Sequence, residues 1–311
     1  MTDEILNRIA RESGVADILD ALNRLSPTDL QSLLLEVYRT KAARISPSDL
    51  LARYERDRFV RPSALGADQI SAFDQLAWSL LPDRYDALAL SPLCPLGTSS
   101  VVGTVDQNKI VSAVRTGEVV ADSTNVLALE CALRRRSLLA DAATRRTPVC
   151  LATSQDQVRA QGLGEGQTAH FRLLALCAAN RDGGSFAFES SALVEQVAYL
   201  ASLVERVQPG WRVDVALTDL AGRSGHLERQ VLDPLTERLP GTTVRLDPDR
   251  PSGRGYYVDA CYKLFARRED GVALELGDGG CTTWTRQLLS NDKERLVIGG
   301  LGVERLIAGG A

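Results

Sequence analysis

From about residue 86 onward the chain is written in short apolar, β-branched runs: ALALSPL, SVVGTV, KIVSAV, EVVAD, TPVCLAT, FRLLALCAA and WRVDVALTD. Such runs predict strands, and a chain with this many of them must close its hydrophobic surface on a sheet. Helical patterns interrupt at 124–140, at 190–207 (LVEQVAYLASLVERV) and at 224–239. They are too few and too irregular for strict strand–helix–strand alternation. The expectation is therefore an α+β fold with an antiparallel β-sheet flanked by helices.

The first 80 residues have a different pattern. Ser26-Pro27-Thr28-Asp29 and Ser46-Pro47-Ser48-Asp49 both read as helix starts. Serine accepts a hydrogen bond from an orphan amide, proline suits the first helical position, and aspartate meets the positive end of the dipole. Leu30, Leu33, Leu34 and Val37 then recur at helical spacing, as do Leu50, Leu51 and Tyr54. We divide the chain into an N-terminal helical region, 1–80, and a sheet-bearing domain, 81–311. Between Arg39 and Arg61 seven basic residues face three acidic ones, the pattern of a solvated helix face.

Composition narrows the function classes. With 44% hydrophobic and 24% charged residues the chain is an ordinary globular one. Its net charge of -4 sets up no global field for nucleic acid or an anionic membrane, so neither is an expected partner. The polar start MTDEILNRIARESG lacks a secretion signal, no 18-residue apolar run occurs, and a cytoplasmic location is expected. Six scattered cysteines without a CxxC pair predict buried free thiols. His170 and His226, the two imidazoles, lie near no cysteine pair, so no bound metal is expected from the protein ligands alone.

Three segments carry candidate chemistry. In VIGGLGVERL a strand runs into Gly299, Gly300 and Gly302 and then into a helix bearing Arg305. Glycines there let a ligand approach the backbone, and phosphate is the natural guest. In QVRAQGLGEGQTAHF a hairpin carries Arg159 on one arm and Phe171 on the other, the parts needed to grip a phosphate and stack a purine. In PSGRGYYVDA, Arg254 precedes Tyr256 and Tyr257 at the start of an alternating strand, where it can neutralise a carboxylate or phosphate. Each segment alone also has a plain packing explanation.

Taken in order, they resemble the catalytic core of the class II aminoacyl-tRNA synthetases, nearest the histidyl branch. The hairpin is similar to motif 2, which implies Arg159 on the α-phosphate and Phe171 on adenine. GGLGVERL is similar to motif 3, which implies Arg305 on the γ-phosphate with Gly300 and Gly302 admitting the nucleotide. RGYY, followed by a strand and DGGCTTW, resembles the histidyl branch. That match implies Arg254 as the cation facing the substrate carboxylate, Tyr256 and Tyr257 beside it, and Asp278, Gly279 and Gly280 on the pocket floor. LSPLCPLG around Pro92 and Pro95 is similar to motif 1, which implies a homodimer. EVVADSTNVLALECALRRR resembles the stretch beside the amino acid pocket, which places Asp122 and Ser123 in substrate binding.

The resemblance covers about 86–311 and departs from the family pattern in three places. The acid two residues after the motif 2 arginine is Gln161, which still hydrogen-bonds but carries no charge. Ala121, Asp122 and Ser123 replace the arginine, proline and glutamate expected beside the substrate amino group. The sequence stops six residues after Arg305, where an anticodon-binding domain would begin. The resemblance implies ATP and Mg2+ as cofactors and an amino acid or related small carboxylate as substrate, activated as an acyl-adenylate and passed to an unknown acceptor. Arg159, Arg305 and Arg254 would be the catalytic residues, and Gln161 would join the ATP site. The alternative is a non-catalytic paralogue similar to the regulatory subunit of ATP phosphoribosyltransferase, binding a ligand to control a partner enzyme. A nucleic-acid accessory protein ranks below both.

Overall fold

The computed structural model describes residues 3–160, 169–222, 224–253, 255–268 and 271–309. Five helices precede the first strand: α1 (Asp3–Ser13), α2 (Ile18–Asn23), α3 (Pro27–Ala42), α4 (Pro47–Arg56) and α5 (Ala67–Leu80). The two Ser-Pro starts cap as the sequence predicts, Ser26 Oγ and Ser46 Oγ accepting from the amides of Asp29 and Asp49, both at 3.1 Å. Helices α1–α4 bury no described residue, and Leu33, Val37, Leu50, Leu51 and Tyr54 stand in the open. Only α5 joins the main core, through Phe73 and Ala77.

The chain then forms β1 (Tyr85–Ala87), β2 (Leu93–Pro95), β3 (Ser112–Ala113), β4 (Gly117–Val119), α6 (Ser123–Leu139), β5 (Val149–Val158), β6 (His170–Arg181) and α7 (Ala187–Val207). After these come β7 (Arg212–Asp219), α8 (Ser224–Leu227), α9 (Asp233–Arg238), β8 (Thr243–Leu246), β9 (Val258–Arg267), β10 (Ala273–Thr282), α10 (Trp284–Leu288), β11 (Glu294–Gly302) and α11 (Val303–Ile307). One sheet has eight strands in the order β1-β5-β6-β11-β10-β9-β7-β8; β2, β4 and β3 form a second, small one. The six inner strands pair antiparallel, as expected, but β1–β5 and β7–β8 are parallel. Each parallel step is bridged by helix, α6 in one case and the 224–238 helical segment in the other, which is the connection a parallel pair needs.

The pleat divides the core. Along β6, Leu174, Leu176 and Ala178 face α5 and α7, while Leu173, Ala175, Cys177 and Ala179 face α6 and α10. On β11, Val297 and Leu301 go to the first side and Leu296 and Ile298 to the second. Arg135 on α6 and Glu294 on β11 lock the second side with a wholly buried ion pair of 2.8 Å. Arg135 also donates to the carbonyls of Thr147 and Arg145. All six cysteines are buried and none is in a disulfide.

Three expected strands fail to form in full: ALALSPL gives only Ala87 to β1 and Leu93 to β2. SVVGTV becomes a π-helical turn over Thr98–Val102, entered through Gly97 at φ +92°. KIVSAV contributes only Ser112–Ala113 to a strand after a 3-10 turn at Gln107–Lys109. A buried carboxylate overrides local β-preference here: Glu118 accepts from the amides of Gly97 and Ser99 and from Gln107 Nε2, folding the segment around itself. No described helix is long and apolar enough to cross a membrane.

Candidate functional site

On the α6 side of the large sheet, β6, β10, β11, the residue just past β5 and the N-terminus of α6 enclose a cavity of about 1080 Å³. That is ample for a nucleotide together with a small acid. It gathers ten residues marked in the sequence: Asp122, Arg159, Phe171, Tyr256, Tyr257, Asp278, Gly299, Gly300, Gly302 and Arg305.

Strand pairing sets opposite each other the arms that carry Arg159 and Phe171. Gln157 faces Phe171 across β5–β6, and the Arg159 amide donates to the Ala169 carbonyl. The Arg159 guanidinium lies over the Phe171 ring, 4.9 Å from its centroid. Its Nε donates to the Ala121 carbonyl at 2.9 Å, and Nη2 reaches Asp122 at 3.5 Å. Asp122 also caps α6 and accepts from the Thr124 hydroxyl at 2.6 Å. On β11, Gly300 and Gly302 fall on the pocket face because they keep step with Leu296 and Ile298. The exposed Arg305 on α11 donates to the Glu275 carbonyl at 3.1 Å. Its neighbour Glu304 accepts from the Arg172 amide through both carboxylate oxygens, joining α11 to the strand that carries Phe171. Burial holds the Glu304 carboxyl above its usual range despite that bond.

The inner end is built by Tyr256, Tyr257 and Asp278. Tyr256 packs edge-on against Tyr257 and Trp284. Burial raises both phenols far above their ordinary pKa. Asp278 reaches the cavity because a bulge between Glu275 and Gly277 shifts the alternation of β10, sending Leu274 and Leu276 to the opposite core. Burial lifts the Asp278 carboxyl, and Arg250, bound to it at 3.0 Å, opposes the shift.

Three marked residues do not join the lining. Ser123 is buried behind the wall, its amide and hydroxyl both on Gln157 Oε1. Gly279 faces the opposite side of the sheet, under the Tyr262 ring, since neighbours on a strand alternate. Gly280 is pressed against Cys261 and Ala260. Gln161 and Arg254 lie outside the described residues.

Other residues at the site carried no mark. Arg250, nearly fully buried, donates to Ser252 O, Tyr262 O and Asp278 and packs on Tyr257. A glycine turn at Gly253 (φ +81°) brings it back, and any β-carbon there would crowd both Arg250 and Tyr257. The signal was the first arginine in DRPSGRG, four places before Arg254. Asn125, Lys109, Glu275 and Glu304 also line the cavity, and the buried side-chain amide of Asn125 has no hydrogen-bond partner.

The known folds that match this architecture decide its class. At the level of sequence, no protein-family model and no curated protein matches the chain. Among solved structures, a Bacillus halodurans protein described as an ATP phosphoribosyltransferase regulatory subunit/histidyl-tRNA synthetase superposes with a TM-score of 0.61 at 13% identity. The match spans 82% of this chain and 83% of that one. The chain carries the class II aminoacyl-tRNA synthetase fold. Apo histidyl-tRNA synthetase from S. aureus has the same class II fold, with a TM-score of 0.54 at 15% identity over 77% of this chain and 64% of that one. A threonyl-tRNA synthetase structure from Cryptosporidium parvum, described as its RNA binding domain, gives 0.56 at 11% over 78% and 62%.

The lining of this class II cavity suits a magnesium nucleotide. Phe171 offers a stacking face, Gly300 leaves backbone open, and Arg159, Arg305 and Lys109 supply positive charge. Among the described residues no cluster of three or more His, Cys, Asp or Glu forms a metal cage. The cavity carboxylates are instead engaged singly: Asp122 with Arg159, Asp278 with Arg250, Glu275 with Lys263, and Glu304 with the Arg172 amide. Magnesium suits such a site, because it binds through phosphates, waters and one or two carboxylates.

Proposed function

We propose that the chain activates an amino acid or related small carboxylate with ATP. A substrate carboxylate oxygen attacks the α-phosphorus, the bond to the bridging oxygen breaks, and an acyl-adenylate and pyrophosphate form without proton transfer. The observation that carries this reading is convergence. Arg159, Phe171, Gly300, Gly302 and Arg305 come from segments far apart in sequence and meet in one cavity with Asp122, Tyr256, Tyr257 and Asp278.

The described residues offer positioning and charge and no nucleophile poised for covalent work, which matches the demands of adenylate formation. Arg159 and Arg305 take the phosphates and Phe171 the base. Magnesium, carried in on the triphosphate, offsets its charge. Tyr256, Tyr257 and Asp278 shape the substrate end. Arg254 keeps the substrate-side role that the resemblance implies, with Arg250 as the cation that holds Asp278 in place.

A second reading has its own support. With Arg159 stacked on Phe171 and bonded to Ala121 and Asp122, the protein's own guanidinium fills the base-stacking face. Such a site suits a regulatory subunit that binds an amino acid without turning over ATP, and the description of the Bacillus halodurans protein includes a regulatory subunit. ATP–pyrophosphate exchange, swept across amino acids and small acids, separates the two. Exchange with at least one acid, lost in R305A, supports activation. No exchange with any acid in folded protein refutes it, and calorimetric binding of an amino acid without magnesium-ATP binding then selects the regulatory reading.

A further inference from the structure

The cavity lining sets three cations, Lys109, Arg159 and Arg305, against four carboxylates. Two of the cations are already engaged: Arg159 with Ala121, Asp122 and the Phe171 ring, and Arg305 with the Glu275 carbonyl. Lys109 is exposed, and its ammonium makes no hydrogen bond or ion pair among the described residues. Its backbone, by contrast, is held on both sides. Lys109 ends the 3-10 turn Gln107–Lys109, in which Asp106 accepts from the Asn108 amide at 3.0 Å and Gln107 Nε2 donates to the buried Glu118 at 2.9 Å. The end of β5 is stitched to the same corner. The Val158 amide donates to the Val120 carbonyl at 2.9 Å, and the Ala160 amide donates to the Lys109 carbonyl at 2.7 Å. Lys109 is thereby bonded to the residue that follows Arg159, and Ile110 after it is buried.

We propose that Lys109 is a third phosphate-binding residue of the nucleotide subsite, taking the polyphosphate beside Arg159. The proposal rests on the nucleotide reading of the cavity, and it adds a residue from outside the segments that resemble motifs 1, 2 and 3. Its physical basis is electrostatic. Carboxylates outnumber cations in the lining, so a polyanion enters against an unfavourable field and each uncommitted positive charge counts. A lysine ammonium is a compact point charge with three donors, suited to phosphate oxygens. Arg159 and Arg305 must give up bonds to reach a phosphate, whereas Lys109 gives up no bond to the described protein. Because the turn that carries it is already fixed, the ordering cost on binding falls on the side chain alone. The buried Glu118 acquires through Gln107 a link to the site.

Calorimetric titration of the full chain with magnesium-ATP compares Lys109→Ala, Lys109→Glu and Lys109→Arg with the parent, and urea denaturation checks that all four fold equally well. We expect the dissociation constant to rise at least about tenfold in K109A, to rise further in K109E, and to stay within about threefold of the parent in K109R. A merely structural role for the side chain would not follow this order of charge. Magnesium-ATP bound equally by the parent, K109A and K109E overturns the role of Lys109 and leaves the nucleotide reading standing. Losses of equal size in K109A and K109R, which differ in charge, overturn it too and assign the effect to the shape of the turn. Parent protein that binds no magnesium-ATP ends the nucleotide reading and the role of Lys109 together.

Discussion

Gly299 lies under the cavity, yet its lack of a side chain answers to the opposite face of the sheet. A β-carbon built there would overlap the Tyr262 hydroxyl and come within 3.0 Å of Gln196 Oε1. Tyr262 is wholly buried, and its hydroxyl has no hydrogen-bond partner. Overpacking of this kind costs about 1–3 kcal/mol, so we expect G299A to destabilise the protein by about 2 kcal/mol. In Y262F the overlapping atom is gone, and the ring carbon that bore it lies 3.6 Å from the new methyl, an ordinary contact. Since the hydroxyl has no bond to lose, Y262F alone should be neutral within about 0.5 kcal/mol or slightly stabilising. The double variant G299A/Y262F should then recover at least about 1 kcal/mol, a coupling expected of residues in contact.

Gly279 is the control. A methyl there would meet Tyr262 Cζ at 2.6 Å and collide with the Ile298 carbonyl, which is backbone and cannot turn away. Y262F should therefore leave most of the G279A defect in place. Urea denaturation followed by circular dichroism, compared at constant m, measures all five variants. Strictly additive G299A and Y262F effects, or equal rescue of G279A, would refute the assignment of these glycines to the tyrosine.

Two further outcomes follow from the buried charges. Burial raises the Glu304 carboxyl, so the folded state holds this proton more tightly than the unfolded state. Its contribution to stability is present in acid, below the unfolded pKa, and is lost as pH rises through the folded value. E304Q keeps an oxygen for the Arg172 amide without the charge. It should be more stable than the parent near pH 7.5 by urea titration, with the gap closing near about pH 4.5; a gap that widens in acid contradicts this. Replacing Arg135 by methionine strands Glu294 as a buried charge and should cost about 3–5 kcal/mol by chemical denaturation. R135M/E294L should recover much of that, and a near-neutral R135M would show that the pair is not the clamp between α6 and β11.

Much of the site was legible in the sequence because it rests on short-range devices. A glycine-bearing strand followed by an arginine places Gly300, Gly302 and Arg305 by alternation and helix geometry alone. A hairpin puts Arg159 and Phe171 on opposite arms. What was misread turns on register and on distant partners. The sequence points Gly279 and Gly280 at the pocket with Asp278, but a one-residue step turns Gly279 to the other face, Gly280 is pressed onto Cys261, and the bulge between Glu275 and Gly277 decides which residues of β10 look inward. Ser123 was set beside the substrate, but Gln157, 34 positions away, draws its hydroxyl inward. Arg250 was passed over because only the turn at Gly253 brings it onto Asp278.

By itself the sequence determined the local chemistry: capped helices at the N-terminus, strands from their apolar runs, and arginine, glycine and aromatic residues in an order that resembles a nucleotide site. Propensity, capping and alternation act over a few residues, and they are written in neighbouring letters. The tertiary structure alone decided that SVVGTV coils around Glu118, that both sheet edges pair parallel, and that Ser63 and Ala64 reach the cavity. Each of these depends on groups that are far apart along the chain and become partners only after the sheet has closed. Their energies come from burial and from satisfying polar groups, and no local pattern encodes them.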